Sequence, residues 1–156
     1  KKRMIGVIGS SICPSNVAEL AERVGKEIAK RGGVLVCGGL GGVMEAACRG
    51  AKSEGGTTVG ILPGNAREAA NAWVDIPVVT ALGLARNLVV VSSSEAIVAV
   101  SGGYGTLSEL GLALNSGVPV IGLFTWELEA PIPRANTPEE AVELAFRTLE
   151  TEESFE

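Results

Sequence analysis

The residues best suited to chemistry in this chain are three clusters of glycine. Gly9-Ser10-Ser11, Gly38-Gly39-Leu40-Gly41-Gly42 and Gly102-Gly103-Tyr104-Gly105-Thr106 each follow a short apolar run and lead into a segment with helical periodicity. Glycine lets backbone N–H groups come close to an anion, and the unpaired N–H groups of a helix's first turn favour negative charge. The guest these loops imply is a phosphate. One such loop is equally well explained as a tight strand-to-helix turn; three together are harder to explain that way. Ser10 and Ser11 carry hydroxyls that either donate to a ligand or simply close their turn. Met44, just past the second cluster, is placed to line a base pocket, while Glu45 beside it complements the helix dipole.

Other chemistries are narrowed by what is missing. The sequence contains no His, which removes His general bases, Ser-His triads and His metal sites. No GxxxxGK[ST] occurs, so the phosphate-clamping Lys of a P-loop ATPase is absent. Neither Gly9 nor Gly39 begins a GxGxxG, and the second apolar run ends in Cys37 rather than an acid for a ribose diol. A mononucleotide or another phosphorylated small molecule therefore fits better than a dinucleotide. The three cysteines form no spaced framework, and the 11-residue spacing of Cys37 and Cys48 gives no compact metal ligand set. Cys37 and Cys48 read as small core residues, and Cys13 lacks a flanking cation to activate it.

The elements that must position these loops alternate. Strands are expected over Arg3–Ile8, Val34–Cys37, Thr57–Leu62, Glu95–Val100 and Val118–Phe124, with an edge or irregular strand at Val74–Thr80 because of Pro77. Helices are expected over Asn16–Arg31, near Val43–Glu54, over Leu82–Ser93 and over Thr106–Ser116. A final helix is capped by Thr137, has Pro138 at its first position and Glu140 three residues after the cap, and runs to about Glu150. Strands apolar on both faces, alternating with helices, define an α/β architecture: a mostly parallel sheet with helices on both faces. Ligands of such sheets bind outside the carboxyl ends of the strands, where every glycine cluster falls.

At 156 residues the chain is one domain's length, read as residues 1–150 with an acidic frayed tail over 151–156. Of the net charge of −5, four negative charges lie in the last seven residues, so the body is nearly neutral and unsuited to a nucleic-acid backbone. Apolar runs fall short of the ~18 residues a membrane span needs. With no signal-peptide pattern and an unpaired set of cysteines, the expected location is the cytoplasm.

The stretch Ser101-Gly102-Gly103-Tyr104-Gly105-Thr106-Leu107-Ser108-Glu109 resembles the PGGxGTxxE signature of the Lonely Guy (LOG) family, often labelled "lysine decarboxylase-like". Gly38–Glu45 resembles that family's other glycine-rich loop, and the similarity runs over Ile5–Leu123. The combination of GGLGGVMEAACRGAK, TVGILPG and Leu84-Ala85-Arg86-Asn87 is most similar to the branch that includes the molybdenum cofactor carrier protein and its bacterial relatives. This resemblance implies a Rossmann-like fold, a homodimer or homotetramer, and a bound nucleoside 5′-monophosphate or related phosphate.

In the LOG enzymes the reaction is hydrolysis of the N-glycosidic bond of a nucleoside monophosphate. The positions matching the catalytic arginine and glutamate are Arg86 and Glu109, with Gly103, Gly105 and Thr106 on the phosphate. No cofactor is required for that reaction. The alternative from the same resemblance is a non-catalytic carrier or sensor of a phosphorylated cofactor such as molybdopterin. Two positions depart from the enzymes' pattern: Ser101 replaces the motif proline, and Arg86-Asn87 replaces an Arg-Lys pair. Glycoside cleavage passes through a cationic sugar that a carboxylate one turn inside the helix can stabilise. Glu109 also reads simply as an acid favoured by the helix dipole, and Arg86 as an ordinary ion-pairing residue. Decarboxylation of lysine is excluded, because that chemistry needs a Lys-held pyridoxal phosphate. Lys26, Lys30 and Lys52 sit in helices facing away from the ligand edge, and Lys1 and Lys2 are terminal. The roles of Asn65, Arg67, Asn71 and Asp75 in the long middle loop are left open.

Overall fold

A computed structural model describes residues 1–153. Seven strands pair in parallel into one sheet with the order β4-β3-β2-β1-β5-β6-β7. They are β1 (Met4–Ile8), β2 (Val34–Cys37), β3 (Thr57–Leu62), β4 (Ile76–Val79), β5 (Ala96–Val100), β6 (Val120–Leu123) and β7 (Arg134–Ala135). Five α-helices connect or flank them: α1 (Ser15–Lys30), α2 (Val43–Ser53), α3 (Arg86–Ser92), α4 (Tyr104–Ser116) and α5 (Pro138–Glu153). The chain winds outward from β1 in one direction and resumes from β5 on the other side, so β1 and β5 flank the point where the order reverses. A crevice forms there beyond the strands' carboxyl ends.

Side chains alternating along the central strands divide the core into two layers. Ile5, Val7, Leu35, Cys37, Val98 and Val100 face one way, onto Val24 and Ile28 of α1, Cys48 of α2 and Val142 of α5. Ile8, Val36, Ile97 and Ala99 face the other way, onto Val90, Val91 and Leu110 of α3 and α4. The unbroken apolar runs of the sequence reflect this coverage on both faces. The helix-to-strand turns at the sheet's opposite edge use Gly32, Gly55 and Gly117, all with positive φ and with open space where a Cβ would sit.

Several expected boundaries shift. The helix placed at Leu82–Ser93 is two pieces, a 3₁₀ turn over Gly83–Ala85 and then α3. Helix α4 begins at Tyr104, two residues before the expected start, because Gly103 is its N-cap. The last central strand is shorter than Val118–Phe124, since Phe124 turns into the left-handed region with φ 54°. The two-residue strand β7 was not anticipated. Helix α5 continues through Glu153, where Arg3 pairs with it, so residues 151–153 of the expected frayed tail are helical; 154–156 lie outside the described residues. Its capping is as expected: the Glu140 N–H donates to Thr137 Oγ1 at 3.2 Å, and the Glu140 carboxylate accepts from the Asn136 N–H at 3.0 Å. Among the described residues no helix is long and apolar enough to cross a membrane.

The middle loop is pinned to β3 through fully buried Thr58. Its hydroxyl donates to the Trp73 carbonyl at 2.5 Å and accepts from the Asp75 N–H at 2.9 Å. The Asp75 carboxylate in turn accepts from the Thr58 N–H at 3.0 Å and from Lys52 Nζ at 2.9 Å. Thr58→Val keeps the shape and strands the Trp73 carbonyl, while the Asp75 N–H retains the Thr58 carbonyl at 3.1 Å, so it is expected to lower unfolding free energy by about 1–3 kcal/mol. Urea unfolding measures this, and an unchanged midpoint would assign the loop's anchorage to Asp75 alone.

Candidate functional site

The crevice between β1 and β5 is a cavity of about 270 Å³. Gly9, Ser10 and Ser11 form one wall and Gly38, Leu40 and Met44 a second. Gly103, Tyr104, Gly105, Thr106 and Glu109 form the third, and Leu84, Arg86 and Asn87 close the fourth. The structure thus brings together the glycine loops after β1, β2 and β5 with Met44, Arg86 and Glu109. Gly39, Gly41, Gly42 and Gly102 do not line the cavity; they shape the loops behind it. A Cβ on Gly42 would lie 2.2 Å from the Ser10 carbonyl oxygen, and the Val43 N–H donates to that same oxygen at 3.0 Å, so the first two loops are zipped together. The Gly103 Cβ position lies 3.6 Å from Ser10 Oγ, which sets the third loop against the first.

The helix ends aimed at this cavity are bare. Helices α2 and α4 begin from Gly42 and Gly103, and neither has a side-chain cap. Apart from the Val43 N–H, which the Ser10 carbonyl takes, their first-turn N–H groups have no side-chain cap, in contrast to those of α5. Two further buried polar atoms at the site lack partners: Thr106 Oγ1, in a residue 2% exposed, and Arg86 Nε, in a residue 9% exposed. Unsatisfied buried donors are costly and rare. An anionic ligand would satisfy them.

Arg86 stands at the first turn of α3 with its guanidinium over the Gly38 backbone; a Cβ on Gly38 would lie 2.8 Å from Arg86 Nη2. Its Nη1 donates to Asn87 Oδ1, the Asn87 amide donates to Ser108 Oγ at 3.2 Å, and Ser108 donates to the Gly105 carbonyl at 2.6 Å. Asn87 therefore ties the arginine to the third glycine loop. Glu109 is 7% exposed and has no hydrogen-bond or ion-pair partner among the described residues. Burial pushes its carboxyl up to about 7, and the opposing attraction of Arg86 does not offset this.

The third loop is braced from β6. Thr125 Oγ1 donates to the Ser101 carbonyl at 2.6 Å, and the Trp126 indole donates to the Gly103 carbonyl at 3.0 Å. Ser101 itself takes φ 50°. A proline ring fixes φ near −65°, so the proline of the LOG signature is incompatible with the backbone here. Trp126 and Ser108 were not found from the sequence: Trp126 acts on the loop from 23 positions away, where no local pattern marks it, and Ser108 matters through its bond to Asn87, 21 positions earlier. Of the open residues in the middle loop, Asn71 and Asp75 are structural. Asn71 holds the second glycine loop through the Gly39 carbonyl at 2.9 Å and the Leu40 carbonyl at 2.8 Å.

Cys37 and Cys48 are buried with their sulfurs 3.5 Å apart, and the Gly39 N–H donates to Cys37 Sγ at 3.4 Å, so they belong to the core beneath the second loop. Burial pushes the Cys13 thiol up, the reverse of an activated nucleophile. No group of three or more Cys, Asp or Glu among the described residues is arranged to hold a metal ion.

A parallel sheet that reverses its order at β1 and β5, with three glycine loops converging on one crevice, defines a protein of Rossmann-like fold. The chain belongs to the SLOG cluster4 family, whose sequence model matches residues 2–151. The molybdenum cofactor binding protein of Rippkaea orientalis shares its structure at a TM-score of 0.90 and 38% identity, covering 96% of this chain and 98% of that one. The molybdenum cofactor carrier protein of Chlamydomonas reinhardtii matches at a TM-score of 0.89 and 38% identity, over 96% and 99% of the two chains. More distantly, the chain is 39% identical over 107 residues to the cytokinin riboside 5′-monophosphate phosphoribohydrolase of Mycobacterium tuberculosis, covering 66% of this chain and 57% of that enzyme.

Proposed function

We propose that the cleft binds a nucleoside 5′-monophosphate by its phosphate and hydrolyses the N-glycosidic bond, giving free base and ribose 5-phosphate. The observation that carries this reading is Glu109, an unpaired carboxyl at the cleft wall whose proton affinity is tuned to about 7. A general base is most effective when its pKa lies near the working pH. As a carboxylate, Glu109 accepts a proton from the water that attacks C1′ and stabilises the cationic sugar as the bond to the base breaks. The base leaves with the bonding pair and is protonated from solvent. Gly103, Gly105 and Thr106 hold the phosphate at the uncapped start of α4, and the free Nε of Arg86 donates to a ligand oxygen.

The test is incubation with a panel of nucleoside 5′-monophosphates, following free base by chromatography, with Glu109→Gln as control. Base release that the variant loses supports the hydrolase. A second reading, a non-catalytic carrier of a molybdopterin-type cofactor, is favoured by the end-to-end likeness to proteins described as binding or carrying the molybdenum cofactor. The engagement of Arg86 with Asn87 favours it too. Binding without release across the panel would support that reading instead. Either way the ligand is a phosphorylated small molecule, and we place the protein, with its three free thiols, in the cytoplasm.

We also infer self-association. Leu84, Ala85, Gly111 and Leu112 line an apolar hollow beside α3 and α4, Leu84 is 71% exposed, and Leu88 is exposed on α3. A second copy of the chain covering this face removes that surface from water. Light scattering is expected to give the mass of a dimer or tetramer; a monomer would overturn this assignment.

A further inference from the structure

The glycine loops account for a ligand's phosphate, and the third of them also carries a feature suited to a ring beside it. Tyr104 is the chain's single tyrosine, the first residue of α4, and it lines the cleft. It is 84% exposed. A large ring left so open at the mouth of the cavity packs on one side only. One side of it is fixed: the Tyr104 and Trp126 rings stack with centroids 6.0 Å apart and planes at 30°. Trp126 is in turn immobilised by its indole bond to the Gly103 carbonyl and by packing against the α3–α4 side of the core. The pair is therefore a prepositioned aromatic surface beside the bare N-terminus of α4.

We propose that the Tyr104–Trp126 stack is the platform for the ligand's planar ring. The cleft would thereby select phosphomonoesters that carry a flat nitrogen heterocycle over simple sugar phosphates. This rests on the reading of the glycine loops as a phosphate site. Aromatic faces stack on any heterocycle, so a purine nucleotide and a pterin phosphate share the required chemistry. The competing surface is the apolar wall of Leu40, Met44 and Leu84 across the cavity, which would hold the ring without involving Tyr104.

The chain has two tryptophans, so Trp73→Phe leaves Trp126 as the sole indole reporter. In that background, with Glu109→Gln added so that no ligand is consumed, adenosine 5′-monophosphate, neopterin monophosphate and ribose 5-phosphate are titrated by calorimetry and by indole fluorescence. The two ring-bearing probes are expected to perturb Trp126 emission and ribose 5-phosphate is not. Tyr104→Ala should weaken the ring-bearing probes roughly 5- to 150-fold, the range of one stacking interaction. It should leave ribose 5-phosphate within about twofold, and Tyr104→Phe should restore the affinity. The tighter of the two ring-bearing probes distinguishes purine from pterin. If all three probes bind but Tyr104→Ala changes none of them, or weakens all equally, the platform is wrong while the phosphate site stands. If no probe binds the parent protein, the phosphate site itself is wrong and the platform falls with it.

Discussion

Glu109→Gln is expected to reduce base release from nucleoside 5′-monophosphates by 10²- to 10⁴-fold, the usual contribution of a positioned general base, and at the same time to stabilise the protein at pH 8. The two effects share one cause. Burial raises the Glu109 carboxyl from its ordinary 4.5 to about 7, so the folded chain keeps its proton over a range where the unfolded chain releases it. Between those values folding takes up a proton, and stability declines as the pH rises. Above pH 7 the folded protein must carry an unpaired buried carboxylate. The shift corresponds to a loss on the order of 3 kcal/mol, and glutamine, uncharged at every pH, avoids it. Melting curves of parent and variant should therefore coincide near pH 4 and separate by several degrees at pH 8, with the variant higher. Activity limited by this group should rise with pH through about 7. A variant that melts lower than the parent at pH 8 would mean that Glu109 is held by a favourable partner in the folded state. Its catalytic assignment would then lose its physical basis.

The second large effect lies away from the chemistry. Helices α1 and α2 approach each other through glycines: a Cβ on Gly50 would lie 1.9 Å from the Glu22 carbonyl oxygen, and one on Gly25 equally close to that of Ala47. Backbone oxygens of a facing helix cannot rotate aside as a side chain would, so the helices must separate. Gly50→Ala is expected to destabilise the fold by about 3 kcal/mol, although alanine is intrinsically the better helix former. Because α1 and α2 follow the first two glycine loops, the separation would also pull Ser10 from Gly42. Chemical denaturation measures the loss. A gain in stability would show that the two helices have slack between them.

That close approach illustrates what the sequence could and could not convey. Strand periods, glycine breaks and the Thr137 cap are local signals, and they place nearly every strand and helix within two residues. Gly50 looks like an ordinary flaw in a helical stripe, because its reason is a carbonyl 28 positions earlier in the chain. The strand β7 escaped for the same kind of reason: its two residues acquire their conformation from pairing with β6. At the site, the glycine loops were legible through their own composition, and Arg86 and Glu109 through the likeness to a known signature. Trp126 and the bond between Asn87 and Ser108 were not, since each joins segments 21 or more positions apart that only the assembled fold brings together; the tie between the neighbours Arg86 and Asn87 is local, but no sequence pattern marks it.

The sheet's two edges also differ in how relaxed they are. At the edge where helices return to strands, the left-handed turns fall on glycine, which adopts them freely. At the opposite edge, Ala81, Ser101 and Phe124 follow β4, β5 and β6 in left-handed conformations that cost an ordinary residue roughly 1–2 kcal/mol each. Tension is concentrated on the side of the candidate cleft, and the anchoring side has little left to gain. Selection for heat resistance would therefore act first on the residues framing the cleft, so hardening the protein and preserving its site are opposing demands made of a single row of loops.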